Sequence, residues 1–187
     1  MIKIGITGSL ASGKTTASRI LSFKRGPLFS ADKVVKELYS NKRFKYLISK
    51  RFKIANNNRL KKAIKKIIFE KKTNIKKLEK IIHPIVRKKM KRFTLLHKNR
   101  KLLFYEIPLL IESKLMYFFD YIILVVSPRK YRLKRYLKNG GNKKMFYLLD
   151  KNQISAKKKV KYCDYLIVNN KSKNILKKRV SDIINNV

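Results

Sequence analysis

Gly8-Ser9-Leu10-Ala11-Ser12-Gly13-Lys14-Thr15 puts two glycines, a lysine and a threonine at the spacing G-x-x-x-x-G-K-[ST], the Walker A pattern. Each fixed position has a physical reason. Gly8 and Gly13 permit backbone angles that turn consecutive N–H groups toward one point. A helix starting there adds its positive N-terminal end. Lys14 then reaches the β/γ-phosphates of a nucleotide, and the Thr15 hydroxyl binds Mg2+. The surroundings suit this reading. Residues 2–7 alternate and are β-branched, as a strand should be, and residues 17–23 read as a helix stopped by Gly26-Pro27.

Outward from the loop, Leu28-Phe29-Ser30 is a short second strand running into Ala31-Asp32. Residues 34–98 read as helical throughout. Phe44, Leu47, Ile48 and Phe52 share one face; Leu60, Ala63, Ile64, Ile67 and Ile68 share another. A third stripe runs from Ile75 through Ile82 and Val86 to Phe93, interrupted at Pro84. Residues 101–107 are of strand length and are followed by Pro108. Tyr121-Ile122-Ile123-Leu124-Val125-Val126 is apolar throughout, as central parallel strands are. Ser127-Pro128 opens a helix with proline at its first position, and Asn139-Gly140-Gly141-Asn142 breaks it. Residues 145–154 are helical again, Tyr165-Leu166-Ile167-Val168 is a last strand, and Leu176, Val180, Ile183 and Ile184 mark a closing helix. Strands alternating with helices predict an α/β fold whose parallel sheet is covered on both faces. The long helical stretch between the second and third strands is an insert.

The chain has 187 residues, 44% of them hydrophobic, which suits one domain carrying an insert. Its 50 Lys and Arg against 10 Asp and Glu give a net charge of +40. The cations run from Lys3 to Arg179 and form no stripe or tail. With lysine, asparagine and isoleucine all abundant, this reads as compositional bias on solvated faces. Such a field draws in nucleotides but predicts no specific nucleic-acid partner. No apolar run approaches the roughly 18 residues of a membrane span. Met1 to Thr7 lacks a signal-peptide pattern, and Cys163 stands alone. The expectation is a cytoplasmic protein, a monomer or weak oligomer.

Several residues are candidates for chemistry. Asp32, past the second strand, could accept a proton from an attacking hydroxyl, help hold Mg2+, or simply cap a helix. Glu106 invites the role of a Walker B carboxylate, with Glu112 close behind; for each, a cap or an ion pair is the plainer reading. His83-Pro84 lies in a helical stripe, where a kink with a partly exposed histidine is the plain alternative. Arg129, Arg132, Lys134, Arg135 and Lys138 precede the Gly140-Gly141 hinge. Cations there suit a closing lid that neutralises transferring phosphate, or are a solvated face.

In these residues the chain resembles the dephospho-CoA kinases, P-loop kinases with a lid. That family opens as residues 8–16 do. Its Asp-Ala-Asp is met in part by Ser30-Ala31-Asp32. Its Leu-Glu-x-x-x-His-Pro-x-Val is met by Leu78-Glu79-Lys80-Ile81-Ile82-His83-Pro84-Ile85-Val86, and its Pro-Leu-Leu-x-Glu by Pro108 to Glu112. Gln153 matches a glutamine after the lid, and the closing Ala-Asp-x-x-Ile-x-Asn is similar to Cys163 to Asn169. The matches run in order over nearly all of residues 1–187, taken as a single P-loop kinase domain. The resemblance implies a parallel-sheet kinase core, a helical acceptor-binding insert over residues 33–100 and a lid over 128–152.

It also implies transfer of the γ-phosphate of ATP, with Mg2+, to the ribose 3′-hydroxyl of dephospho-CoA, the last step of coenzyme A synthesis. Lys14 and Asp32 would be catalytic. Gly8, Ala11, Ser12, Gly13, Lys14, Thr15, Thr16 and Asn169 would bind ATP. Asp32, His83, Pro108 and Glu112 would face the acceptor, and Thr15 and Asp32 the metal. Two departures stand out. Ser30 replaces the first Asp, and the lid arginine falls on either Arg135 or Lys138. The alternatives are a nucleotide or shikimate kinase of the same architecture, which the His83-Pro84 and Pro108 to Glu112 signatures disfavour, and a basic nucleic-acid-binding ATPase.

Overall fold

The computed structural model describes residues 1–71 and 73–184. Along them run β1 (Ile2–Gly8), α1 (Lys14–Ser22), β2 (Leu28–Ser30), α2 (Ala31–Leu38), α3 (Lys42–Phe52), α4 (Leu60–Glu70) and α5 (Thr73–Leu96). There follow β3 (Leu102–Glu106), β4 (Tyr121–Val126), α6 (Arg129–Lys138), α7 (Lys143–Lys151), α8 (Ala156–Val160), β5 (Tyr165–Val168) and α9 (Lys173–Ile184). A 3-10 turn over Met116–Phe118 precedes β4. The chain divides into two compact units: Met1–Ser30 with the chain from Phe93 onward, and Ala31–Arg92.

The first unit is built on one parallel sheet in the order β2-β3-β1-β4-β5. The apolar run of β4 lies beside β1, with Ile6 opposite Ile123 and Gly8 opposite Val125. One face of the sheet contributes Ile4, Ile6, Phe104, Ile123, Val125 and Ile167 to a core closed by Ala17 and Leu21 of α1 and Leu176 and Val180 of α9. Tyr105 is fully buried among aromatic rings, with centroids 5.4 Å from Phe93 and Phe119 and 6.0 Å from Phe29. Its hydroxyl finds Thr94 Oγ1 at 2.7 Å, so burial leaves no polar atom stranded. β5 is an edge strand, and Leu166 is correspondingly exposed.

In the second unit, Asn41 caps α3 by accepting from the Phe44 N–H at 3.0 Å. Asn74 Nδ2 donates to the Ile67 carbonyl at 2.9 Å, tying the start of α5 to the end of α4. Phe44 and Ile48 are buried as their stripe predicts, but Leu47 on the same stripe is exposed. Pro84 does not interrupt the third stripe. α5 passes through it, because buried Ile82 and Val86 flank it on one continuous face.

Three boundaries differ from expectation for local reasons. α1 begins at Lys14 instead of residue 17, because Gly13 itself caps it. Pro128 caps α6 from outside instead of opening it. α7 begins at Lys143 because Asn142 Oδ1 accepts from the N–H groups of Lys144 and Met145, at 2.8 and 3.2 Å. It stops by Lys151, and the Ile154 N–H then goes to Glu112 Oε1 at 3.0 Å. The short α8 was not expected. Ser155 caps it.

Candidate active site

The glycine-rich loop joins β1 to α1 at the C-terminal edge of the parallel sheet, where ligands of open α/β sheets bind. Gly8 lies so close to β4 that a Cβ there would come within 2.4 Å of the Val125 carbonyl oxygen. Gly13 has φ 93°, a left-handed angle, and a Cβ on it would meet Asn169 Nδ2 at 2.1 Å. Ala11 is also left-handed, at φ 57°, which alanine adopts only when its neighbours hold it there. Inside the loop the Ser12 N–H donates to the Ser9 carbonyl at 3.1 Å. The Ser12 hydroxyl is buried without a hydrogen-bond partner among the described residues, an orphaned donor in a loop shaped for an anion. Lys14, the first residue of α1, is 7% exposed. Thr15 is exposed, and Thr16 is half-buried behind it.

Beneath the loop lies Glu106, the last residue of β3, only 1% exposed. Thr15 Oγ1 donates to one of its oxygens, and Ser30 Oγ donates to the other at 3.0 Å. Ser30 and Glu106 are register partners on adjacent strands, so the contact follows from the pairing of β2 with β3. With its proton committed to Glu106, the Thr15 oxygen keeps its lone pairs for a cation. Carboxylate and hydroxyl oxygens are hard donors of the kind Mg2+ takes.

The loop after β3 is fixed from below. Thr7 Oγ1 donates to the Pro108 carbonyl at 3.1 Å. Glu112 pairs with Lys159 at 2.8 Å. Lys159 is wholly buried, an exception to the expectation that the lysines lie on solvated faces. Glu112 is therefore engaged in an ion pair, and a buried one.

The cations of α6 divide sharply. Arg135 Nη1 donates to the Ser12 carbonyl at 3.2 Å and to Ser127 Oγ at 3.1 Å, and Nη2 donates to the Asn169 carbonyl at 3.0 Å. Burial draws its pKa down. Lys138, the last residue of α6, is exposed. Asn169 follows β5 and is 8% exposed; its Nδ2 donates to the Ser12 carbonyl at 2.9 Å. Arg132, buried, pairs with Asp150 at 2.5 Å.

In the second unit, Asp32 lies within the first turn of α2, not ahead of it, and is exposed. A carboxylate there meets the positive end of the helix. His83 is half-buried on α5, and burial first, then the Arg87 charge, lower its pKa below 6.5. Sequence reasoning missed Asp150 and Lys159. The only signal was scarcity: Asp150 is one of 10 acidic residues in the chain.

A family model described as dephospho-CoA kinase matches residues 2–174. A dephospho-CoA kinase of Fusobacterium nucleatum is 35% identical over 185 residues, covering 95% of this chain and 94% of that one. The solved structure of a dephospho-CoA kinase from Campylobacter jejuni is 27% identical, with a TM-score of 0.68, and covers 98% of this chain and 95% of that one. A shikimate kinase from Acinetobacter baumannii has a TM-score of 0.54 at 15% identity, covering 100% of this chain and 94% of that one, which is a likeness of fold alone.

Proposed function

This chain belongs to the dephospho-CoA kinase family, and on that footing we propose how its residues move the γ-phosphate of ATP onto the ribose 3′-hydroxyl of dephospho-CoA, the last step of coenzyme A synthesis. Gly8, Ala11, Ser12, Gly13, Thr15 and Thr16 cradle the phosphates through loop and helix N–H groups. Lys14 neutralises the β- and γ-oxygens as charge builds on them. Asp32 orients the ribose hydroxyl and accepts its proton. Asn169 borders the adenine. Arg135 and Lys138 bring positive charge from a lid over residues 128–152. Residues 33–100 are proposed as the acceptor side, with His83 as an acceptor-binding residue; Pro108 and Glu112 are proposed in the same role from the loop after β3. Glu112 does so while held by Lys159.

The donor set suits Mg2+. Thr15 would hold it, with Glu106 fixing the Thr15 hydroxyl. Mg2+ keeps waters and phosphate oxygens in its shell and needs few protein ligands. When bound, the ion neutralises charge on the β- and γ-phosphates.

No helix among the described residues is long and apolar enough to cross a membrane. We place the protein in the cytoplasm as a monomer or weak oligomer, without a specific nucleic-acid partner. The observation that carries the reading is the left-handed Gly13 opening α1 while Thr15 rests on buried Glu106. The test is ATP consumption with dephospho-CoA, shikimate, nucleoside monophosphates or DNA as acceptor or effector. Turnover is expected with dephospho-CoA alone. Turnover driven by DNA, or by another acceptor in preference, overturns it.

A further inference from the structure

We infer that Arg132, Asp150 and Gln153 latch the Leu10 peptide of the nucleotide loop in place and so set the affinity for ATP without touching it. The inference rests on the kinase reading above and deepens it. A loop that binds phosphate through N–H groups must send its carbonyls the other way. The Leu10 carbonyl accepts from Arg132 Nη1 at 3.3 Å, and the Leu10 N–H donates to Gln153 Oε1 at 2.9 Å. Leu10 is thus gripped on both sides. Its carbonyl belongs to the same peptide group as the N–H of Ala11, so a cation on that oxygen both orients and polarises the next N–H of the loop. Ala11 is the residue at φ 57°, which needs such support.

Arg132 is itself held. Its Nη1 lies 2.5 Å from Asp150 Oδ1, its Nη2 lies 3.4 Å from Oδ2, and its Nε donates to the Ser127 carbonyl at 3.1 Å. Its guanidinium stacks 5.5 Å from the centroid of buried Phe146. Arg132 is on α6, whereas Asp150 and Gln153 lie beyond the Gly140-Gly141 break, on and just after α7. Both sides of the break therefore converge on one loop residue. A planar, five-donor guanidinium can serve the Ser127 carbonyl, the Leu10 carbonyl and a carboxylate together, which lysine cannot. Arg132 and Asp150 are positioning residues: they act through the loop backbone.

The experiment is calorimetric titration with ATP, paired with steady-state kinetics and thermal melting, on the wild type, Gln153→Leu, and the double variant Arg132→Leu/Asp150→Leu. The double variant removes both charges together, so no lone ion is left buried. The latch predicts an ATP Kd raised about 10- to 100-fold in the double variant and severalfold in Gln153→Leu. Saturating kcat and KM for dephospho-CoA stay within about threefold of wild type. An unchanged Kd in a folded double variant, or a lower melting temperature with no change in affinity, overturns the latch and leaves the pair merely structural. If the double variant does not fold, Gln153→Leu decides alone: a raised Kd supports the latch and an unchanged one overturns it. A wild-type chain that binds no ATP overturns the kinase reading and the latch with it.

Discussion

Replacing Gly13 by alanine strains the loop at its tightest point. Gly13 has φ 93°, and an added Cβ would lie 2.1 Å from Asn169 Nδ2. That amide donates to the Ser12 carbonyl at 2.9 Å and is buried. Gly140 is an internal control: its φ is also positive, at 76°, but an added Cβ would meet nothing within 4 Å. Left-handed strain costs each alanine about 1–2 kcal/mol. Only at Gly13 must the amide also give way, and losing that buried hydrogen bond adds about 1–3 kcal/mol. At about 2–4 °C per kcal/mol for a chain of this size, Gly140→Ala should melt about 2–8 °C below wild type and Gly13→Ala about 4–20 °C below. Scanning calorimetry on the two variants side by side reads the difference. Adding Asn169→Ala to Gly13→Ala should then cost less than Asn169→Ala does in the wild type, since the displaced amide has already lost its bond. The reasoning fails if Gly13→Ala melts no lower than Gly140→Ala, or if the two substitutions add in full.

Asp32→Asn keeps shape and removes the charge, so phosphate transfer should slow at least about 100-fold with the melting temperature nearly unchanged; full activity would make Asp32 structural. Lys159→Met leaves Glu112 without its buried cation and should cost about 3–5 kcal/mol in urea denaturation, whereas Lys159→Met/Glu112→Gln, which removes the lone charge and keeps an acceptor for the Ile154 N–H, should recover most of the loss. His83 has its pKa lowered below 6.5 in the folded chain. The unfolded chain therefore takes up the proton first as pH falls, and stability should drop through and below pH 6.5. His83→Gln should remove that part of the slope, and an unaltered profile would show that His83 does not contribute to it.

The sheet was legible because its strands carry their own signal. Tyr121–Val126 and Tyr165–Val168 are apolar or β-branched runs bounded by breakers, and the structure has those strands with those bounds. The loop was legible because its chemistry demands fixed residues at fixed spacing. Illegible were contacts made by residues far apart in sequence. Glu106 and Ser30 meet only because β2 and β3 are paired in register. Lys159 looked like one more solvated cation in a chain with 50 Lys and Arg, and only the fold shows it buried against Glu112. Arg135 and Lys138, alike as cations in the sequence, differ only in three dimensions: Arg135 reaches the Ser12 carbonyl, and Lys138 stands in solvent. Periodicity also overcounted at Leu47, where the stripe is wider than the surface it covers.

The most direct test of the central claim is to follow a γ-labelled ATP phosphate in the presence of dephospho-CoA and to locate the label in the product by NMR and mass spectrometry, for the wild type and a folded Lys14→Ala variant. The account predicts coenzyme A carrying the label on the ribose 3′-oxygen with the wild type, and transfer lowered by at least about 100-fold with Lys14→Ala. Label released as free phosphate or placed on another acceptor, or a Lys14→Ala variant that transfers it at the wild-type rate, would contradict it.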